Sequence, residues 1–358
     1  MYLSKVIIFT GALSEGGAEK QSILLAKALS HKFKIILVSF YGNRSSKRHI
    51  DFLENEKINF TKLKGNLINK TLKFSELVKN FRPDIIINFL PSNNIIGGVV
   101  GKIHGVKKIY SGVRSSRQSL RKYLELLISH YFLSNTTIFN NTSGYNYFTK
   151  RGFLKRKSVV IPNCIFPMQN QKLSKKNLFK ETIIILMVAR FEYYKDYYTA
   201  LYSIKKADEL LQNKKIIFNI VGIGSQEALI RKWVKGLRIE EITNIHINPE
   251  KIDDFYLKAD IFIQTSIFEG FSNSIMEAMS FSLPVVTTDV GDNSVLVKDG
   301  KNGYLTKAKD VNTISDRIIH LVNSDETRVK MGLKSYKYIK SNFTLDKFAQ
   351  KYTELFEK

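Results

Sequence analysis

The fold is decided by residues 183–224, which read IIILMVARFEYYKDYYTALYSIKKADELLQNKKIIFNIVGIG. Two largely apolar runs, Ile183–Val188 and Ile216–Val221, flank a segment of helical period at Tyr198–Leu211. Unbroken β-branched runs of this kind are typical of strands buried on both faces of a parallel sheet. The order of strand, helix and strand predicts a βαβ unit, and hence a doubly wound α/β sheet.

The same alternation extends from this stretch in both directions. Downstream it predicts the strands Ile245–Ile247, Ile261–Gln264 and Pro284–Thr287, with helices between and after them. Upstream it predicts six strands: Val6–Phe9, Ile35–Val38, Ile85–Phe89, Ile109–Ser111, Thr137–Phe139 and Val159–Ile161. Four helices are predicted among them: Glu19–Ser30, Asn93–His104, Gln118–Leu133 and Ser143–Lys150. Residues 162–180 interrupt the alternation with two prolines and no apolar period, which predicts a linker between two α/β domains, residues 1–165 and 166–341.

Composition limits the kind of protein. The 358 residues are 44% apolar and 25% charged, as in a globular chain, and their number suits two domains. No apolar run approaches the ~18–20 residues of a membrane-spanning helix, and we identify no signal peptide. The single cysteine, Cys164, cannot form an internal disulfide. We therefore expect a cytoplasmic protein.

Positive charge is concentrated in the first half. The chain has a net charge of +24, and residues 1–165 hold 27 basic and 8 acidic side chains. This excess points to an anionic partner: nucleic acid, an anionic membrane surface or a phosphorylated substrate. The alternative is a lysine-rich composition with no partner.

Three motifs follow predicted strands, where sheets of this kind bind their ligands. The first is Gly16-Gly17, whose glycines allow positive φ and a close approach to a ligand, ahead of a helix start that attracts phosphate. The alternative is a flexible loop in which Glu19 complements the helix dipole. The second motif is Arg190 with Lys195, whose charges are suited to neutralise a departing diphosphate. The alternative is two solvated bases in a basic chain.

The third motif is the most informative and reads FEGFSNSIMEAM at residues 268–279. Glu269 follows a predicted strand and Glu277 lies in the next helix, so the two carboxylates are suited to bind different sugars of one ligand. Backbone N–H groups around Ser272–Ile275 form a nest for an anion or hydroxyl group. The alternative for Glu277 is a capping box with Ser274.

Together these motifs resemble glycosyltransferase family 4, whose members are retaining enzymes of GT-B fold. Further matches are Val160-Ile161-Pro162-Asn163, Pro284-Val285-Val286-Thr287-Thr288 and Asp299-Gly300-Lys301-Asn302-Gly303. The likeness spans nearly the whole chain. It implies an α/β GT-B architecture of two facing Rossmann-like domains with a cleft between them. The acceptor-side domain would be residues 1–165, the nucleotide-sugar-binding domain residues 166–341, and a C-terminal crossover helix at 342–358 would pack back on the first domain.

The resemblance also implies a reaction, the transfer of a sugar from a nucleotide-sugar to a hydroxyl with retained configuration. We expect UDP-sugars to be favoured over GDP-sugars, and no metal or other cofactor. The implied catalytic residues are Glu269, at the donor sugar's hydroxyls, and Arg190 and Lys195, at the diphosphate. Glu277 would bind the ribose. The implied donor-binding residues are Gly16, Gly17, Gly222, Phe271, Ser272, Asn273, Ser274, Ile275 and Glu277.

The acceptor side departs from the family pattern. Members of the family often have a histidine directly after the strand of the first domain that precedes Arg114 in this chain, whereas this chain has Arg114 itself. We assign Arg114 and Arg117 to the acceptor side. Arg114, Arg117, Arg121 and Lys122 fall at helical spacing. They are followed by the apolar residues Tyr123, Leu124, Leu126, Leu127 and Ile128, a combination that suits an anionic membrane surface. We expect a peripheral enzyme at the inner face of the cytoplasmic membrane, acting on a glycan or polyprenyl-linked acceptor. His104 is expected to end a helix.

Other functions remain open at this point. A nucleic-acid-binding protein would explain the charge, but the sequence contains no known reading module and Glu269 would have no role, so we expect no nucleic-acid partner. A GT-B epimerase or phosphorylase and an inactive nucleotide-sugar-binding subunit are further alternatives.

Overall fold

The computed structural model describes residues 4–115, 118–166 and 180–358. The chain divides into two compact units, Met1–Phe166 together with Phe343–Lys358, and Pro167–Asn342. Each unit has its own parallel sheet, because its apolar runs form strands that are buried on both faces.

Seven strands form the first sheet: β1 (Lys5–Thr10), β2 (Lys34–Ser39), β3 (Phe60–Lys62), β4 (Ile85–Asn88), β5 (Lys108–Val113), β6 (Thr136–Phe139) and β7 (Ser158–Val160). Their order across the sheet is β3-β2-β1-β4-β5-β6-β7. Strands β2 and β3 thus lie on one side of β1, and β4 to β7 lie on its other side. This is the predicted doubly wound topology. Strand β3 was not predicted, because it has three residues and none of them is fully buried.

Six helices connect these strands: α1 (Gly17–Leu29), α2 (Lys47–Asn55), α3 (Leu67–Phe81), α4 (Pro91–Ile103), α5 (Leu120–Ile128) and α6 (Thr142–Thr149). The predicted helix Gln118–Leu133 is two elements, since α5 changes at Ser129 into a π-helix, Ser129–Leu133. Helices α2 and α3 were not predicted. In α3 only Phe74 and Val78 are buried, so its apolar stripe gives little periodic signal.

Six strands form the second sheet: β8 (Thr182–Val188), β9 (Lys215–Gly222), β10 (Thr243–Ile247), β11 (Ile261–Gln264), β12 (Val285–Thr288) and β13 (Gly303–Thr306). Their order is β10-β9-β8-β11-β12-β13. Its helices are α7 (Tyr197–Leu210), α8 (Glu227–Leu237), α9 (Ile252–Lys258), α10 (Asn273–Ser280), α11 (Asn293–Leu296), α12 (Val311–Asn323) and α13 (Asp325–Asn342). Strands β8 and β9 pair in parallel from Thr182 opposite Lys215 to Val188 opposite Val221, which confirms the βαβ unit predicted from residues 183–224.

The last helix, α14 (Leu345–Glu357), belongs to the first unit, as the resemblance implies. Phe348, Tyr352 and Phe356 are buried in the same apolar core as the inner face of α1. The hydroxyl of Tyr110 in β5 also donates a hydrogen bond to the carbonyl of Leu355 at 3.1 Å. Residues from both ends of the sequence therefore complete one core.

The predicted linker begins inside this core. Cys164 and Ile165 are buried. The side chain of Gln21 donates to the Cys164 carbonyl at 2.8 Å and accepts from the Cys164 N–H at 3.0 Å. Residues 167–179 of the predicted linker lie outside the described residues.

Candidate functional site

A buried ion pair lies beyond the carboxyl ends of β8 and β11. The ammonium of Lys195 contacts the carboxylate of Glu269, and the two side chains are only 12% and 11% exposed. The same carboxylate oxygen accepts hydrogen bonds from the amide of Gln264 and, at 2.8 Å, from the hydroxyl of Ser266. The structure therefore brings together two of the three predicted catalytic residues.

The backbone beside Lys195 is fixed by contacts to the neighbouring loop. Asp196 has a left-handed conformation, with φ at 51°, and its carboxylate caps α7 by accepting from the Thr199 N–H at 3.3 Å and hydroxyl at 2.7 Å. The hydroxyl of Thr265 lies 3.1 Å from the Lys195 carbonyl and 2.9 Å from that of Asp196. These contacts tie the two loops that carry the ion pair.

Gln264 connects the ion pair to the start of α10. It is the last residue of β11 and is fully buried. Its amide N–H donates to Glu269, while its carbonyl accepts from the hydroxyls of Ser272 and Ser274, each at 2.9 Å. Gln264 was not among the predicted site residues, although its place at the carboxyl end of a buried strand is a signal that the sequence offers.

The alternative for Glu277, a capping box with Ser274, is contradicted by the structure. Helix α10 begins at Asn273, and Ser272 is its N-cap, with its hydroxyl accepting from the Ile275 N–H at 3.4 Å. The hydroxyl of Ser274 binds Gln264 instead. The carboxylate of Glu277 is therefore not explained by helix capping.

Tyr256 orients the carboxylate of Glu277. Its hydroxyl donates to Glu277 Oε2 at 2.9 Å, and the tyrosine is almost fully buried. Burial raises the pKa of the Tyr256 phenol well above its ordinary value, and the negative charge of Glu277 adds to this shift. The phenol therefore stays protonated and acts as a fixed hydrogen-bond donor.

Arg190 lies apart from the ion pair and is linked to it through Tyr194. Its exposed guanidinium donates to the Tyr194 hydroxyl at 2.6 Å. The Tyr194 ring stacks on Phe268, with 4.9 Å between centroids, and the ammonium of Lys195 lies 5.4 Å from the centroid of the Tyr194 ring. Tyr194 thus contacts both predicted cations, Lys195 through its ring and Arg190 through its hydroxyl. Tyr194 was not among the predicted site residues.

The other predicted donor-binding residues of the second unit have mixed surroundings. Phe271 and Ile275 are buried, so only their backbone is suited to reach a ligand, whereas Asn273 is partly exposed. A Cβ on Gly222 would lie 2.0 Å from the Ala189 carbonyl, so packing requires this glycine. A role for Gly222 toward the donor stays a prediction.

Gly16 and Gly17 begin α1 in the first unit. The positive φ expected there is wrong: Gly16 is extended, with φ at −80°, and Gly17 is not among the positive-φ glycines of the described residues. A Cβ on Gly16 would lie 2.1 Å from a carboxylate oxygen of Glu19, which folds back over the helix start. A side chain at position 16 would therefore displace the Glu19 carboxylate, which complements the dipole of α1.

Arg114 directly follows β5 in the first unit. Its guanidinium carbon lies 4.1 Å from the centroid of the Phe89 ring, and Nη2 donates to the Tyr352 hydroxyl at 3.3 Å. Arg117, the other predicted acceptor-side residue, lies outside the described residues. His104 is the C-cap of α4, as expected, with Nε2 2.7 Å from the hydroxyl of Ser75.

The second unit offers charged and hydroxyl groups rather than a metal centre. In the ranges that the structure describes, no three His, Cys, Asp or Glu side chains form a cluster that could hold a metal ion. A buried carboxylate, an adjacent ammonium and an exposed guanidinium form instead a set suited to sugar hydroxyls and phosphate oxygens.

The second unit is similar in sequence to proteins of known family. Residues 169–338 match the family model described as glycosyl transferases group 1. Trehalose synthase of Thermococcus litoralis is 28% identical over 222 residues, covering 56% of this chain and 53% of that protein, so the chain spans about half the length of this relative.

Two further comparisons extend over nearly the whole chain. The GalNAc-alpha-(1->4)-GalNAc-alpha-(1->3)-diNAcBac-PP-undecaprenol alpha-1,4-N-acetyl-D-galactosaminyltransferase of Campylobacter jejuni is 21% identical over 341 residues, covering 92% of each protein. The structure of Anabaena HepE in complex with UDP and glucose superposes with a TM-score of 0.85 at 16% identity, over 99% of each chain. This likeness shows the fold, two Rossmann-like units of GT-B type.

Proposed function

We propose that this chain is a retaining glycosyltransferase of bacterial glycan biosynthesis. It transfers a sugar from a nucleotide-diphosphate sugar, with UDP favoured over GDP, to a hydroxyl of a glycan or lipid-linked acceptor. The observation that carries the proposal is the buried Lys195–Glu269 pair at the carboxyl ends of β8 and β11, with Glu277 in the adjoining helix. The match of residues 169–338 to glycosyl transferases group 1 covers this same set.

Lys195 and Arg190 are suited to receive the leaving diphosphate. A lysine ammonium has three N–H donors, and Lys195 directs one of them at Glu269. Arg190 forms no ion pair with any carboxylate of the described chain, and its guanidinium is exposed. Both cations can therefore meet the negative charge that develops as the bond between the sugar and the diphosphate breaks.

The two carboxylates would hold the donor's hydroxyl groups. Glu269 is fixed by Gln264 and Ser266, and Glu277 by Tyr256, so neither has to be ordered when the ligand binds. In our proposal Glu269 accepts hydrogen bonds from the donor sugar and Glu277 from the ribose. Such preorganisation lowers the entropic cost of binding.

The proposed reaction proceeds on one face of the sugar. The bond from the anomeric carbon to the diphosphate oxygen breaks, and a bond to the acceptor oxygen forms on the same face. The acceptor's proton passes to the departing phosphate oxygen. Because Arg190 and Lys195 supply the positive charge at the diphosphate, we propose that no metal is required.

The choice of donor and acceptor is supported by relatives. The HepE complex contains UDP and glucose, and the name of the Campylobacter relative specifies a PP-undecaprenol-linked acceptor and transfer of an N-acetylhexosamine. We extend both features to this chain: a UDP-hexose or UDP-N-acetylhexosamine as donor, and a polyprenyl-linked glycan as acceptor.

We further propose that the first unit binds an anionic membrane surface at the inner face of the cytoplasmic membrane. Helix α3 packs against α4, and α4 packs against α5 and the π-helix. These four elements form what we call the apolar helix face, and their exposed large apolar residues are Leu67, Ile68, Leu72, Val99, Ile103, Leu120, Leu124, Ile128, Tyr131 and Phe132. The exposed basic residues on the same helices are Lys73, Lys79, Lys102, Arg121 and Lys122. Apolar side chains of this kind can insert into the membrane interface, and the cations beside them attract anionic lipid headgroups.

No helix among the described residues is long and apolar enough to span a bilayer.

A panel of nucleotide-sugars tests the proposed function. Ligands that bind the folded state raise the midpoint of thermal unfolding, and we expect UDP-sugars to raise it more than GDP-sugars. The best donor is then assayed for release of UDP that depends on a polyprenyl-linked acceptor. Binding without transfer to any acceptor would favour an inactive nucleotide-sugar-binding subunit. No shift with any nucleotide-sugar, together with a salt-dependent gel shift of nucleic acid, would favour the nucleic-acid-binding alternative.

A further inference from the structure

Arg114 is partly buried, and no carboxylate among the described residues forms an ion pair with it. Its Nε and Nη1 atoms are buried and have no hydrogen-bond partner in the described part of the chain. The hydrogen bond that the guanidinium does make, to Tyr352, is long at 3.3 Å, and its other contact is the face of the Phe89 ring. Three N–H bonds, one on Nε and two on Nη1, are therefore left to bind something else.

The surroundings of Arg114 add positive potential. Burial raises the pKa of the Cys164 thiol above its ordinary value, and the charges of Lys20 and Arg114 oppose this rise, so both cations act on the same place. Helix α4, of thirteen residues, begins two positions after Phe89, and its N-cap Leu90 supplies no capping side chain. The positive end of a helix dipole thus lies beside the ring that Arg114 covers.

The surroundings of Arg114 favour the binding of an anion at this position. Removing a guanidinium from water is costly unless a counter-charge and hydrogen bonds compensate. An aromatic face and one phenol oxygen compensate only in part, since neither carries a full negative charge. A phosphate group supplies both the charge and the acceptor oxygens that Arg114 lacks.

We propose that Arg114, next to the start of α4, binds a phosphate group of the acceptor. This inference rests on the proposed function, because it takes the first unit as the acceptor side. It names the acceptor class as a phosphorylated one, in which the sugar or lipid carries a phosphate or diphosphate, rather than a neutral saccharide.

Calorimetry with inorganic phosphate tests the site directly. The experiment uses the full chain with the substitutions Arg190→Gln and Lys195→Gln, so that the cations proposed for the donor cannot bind the phosphate. In this background phosphate is expected to bind, and Arg114→Gln is expected to weaken its binding by about tenfold or more. Arg156→Gln is the matched control, because that side chain is exposed in the first unit and lies outside the apolar helix face. It should change the affinity by less than about twofold.

Folding is monitored separately by circular dichroism and thermal unfolding without phosphate. Because the charge of Arg114 is compensated only in part in the ligand-free protein, neither Arg114→Gln nor Arg114→Met should lower the unfolding midpoint. A purely structural arginine would predict the opposite, a lower midpoint in both variants with phosphate affinity unchanged, and that result would overturn the inference.

Kinetics with the native donor site distinguish an acceptor phosphate from free phosphate. Arg114→Gln should raise the KM for a prenyl-diphosphate-linked acceptor by about tenfold, with the KM for the donor unchanged. A raised donor KM with an unchanged acceptor KM would place Arg114 at the donor and overturn the inference. If no nucleotide-sugar supports transfer but phosphate binding still depends on Arg114, the proposed function fails while the anion site stands.

Discussion

Lys195 and Glu269, 74 residues apart in the sequence, form a buried ion pair at the carboxyl edge of the second sheet. Burial makes the two charges depend on each other, since each has lost its water and is compensated mainly by its partner. The contact between Lys195 and Glu269 therefore stabilises the two loops that carry it, and it also sets how much charge each side chain can offer to a ligand.

Substitutions in this pair should separate activity from stability. We expect Lys195→Ala and Glu269→Ala each to abolish transfer and to lower the free energy of unfolding by about 3 kcal/mol, because the remaining charge is buried alone. Urea unfolding and a transfer assay measure the two effects. The double variant Lys195→Met with Glu269→Gln should recover most of the stability but none of the activity. Wild-type rates from both alanine variants would refute the site assignment.

Glu277→Gln should weaken nucleotide binding without destabilising the fold. The glutamine carbonyl can still accept from Tyr256, whereas the charge that would bind the ribose hydroxyls is lost. We expect the Kd for UDP to rise by about tenfold, as for a lost hydrogen bond to a charged group. Calorimetry with UDP checks this, and Tyr256→Phe provides a comparison in which the charge remains. If only the thermal midpoint changed, Glu277 would be a structural residue.

Liposome flotation tests the apolar helix face. At low salt, more protein should float with anionic than with neutral vesicles, and the double variant Leu120→Ser with Phe132→Ser should reduce recovery severalfold because two exposed apolar groups no longer insert. Leu210→Ser is the matched control, since Leu210 is 56% exposed but lies in the second unit. Equal recovery with both kinds of vesicle would exclude an anionic membrane partner.

His130 should make the stability of the first unit depend on pH. The imidazole is fully buried, with Nε2 accepting from the Leu154 N–H at 2.9 Å and Nδ1 2.8 Å from the Thr137 hydroxyl. Burial, assisted by the charge of Lys157, lowers its pKa from 6.5 to about 4. Between these values the unfolded chain binds the proton and the folded chain does not. The stabilisation is therefore complete above pH 6.5 and is lost as the pH falls towards 4.

The size of this effect is roughly 3 kcal/mol, from the difference between the two pKa values. Urea unfolding at a series of pH values between 7.5 and 4.5 measures it. His130→Gln keeps a polar side chain that does not titrate in this range, and it should flatten the pH dependence. An equal slope in both proteins would mean that other groups cause it.

Much of the fold could be predicted because both faces of its central strands are buried. Runs such as Ile183–Val188 admit few polar residues, so they stand out from the amphipathic helices between them. Elements at the margin were missed for the opposite reason. Strand β3 lies at the sheet edge with partly exposed residues, and α3 buries only two side chains, so neither has a clear apolar period.

The candidate site was predictable only in part. Charge type and position after a strand were enough to select Glu269 and Lys195, but their contact depends on the adjacency of β8 and β11 in the sheet. Gln264 looked like the polar end of an apolar run, although its side chain holds three groups of the site. A serine at 272 and another at 274 are equivalent as N-caps in the sequence, and the fold selects the first.

The position of α14 has a consequence for biosynthesis. Its aromatic side chains fill the core against α1, so the domain translated first lacks part of its interior until α14 has left the ribosome. The second unit, by contrast, has all its strands and helices as soon as residue 342 has emerged. The second unit can thus complete its fold before the first unit, although the first unit is synthesised earlier. Until then, the nascent amino-terminal half has apolar surface exposed.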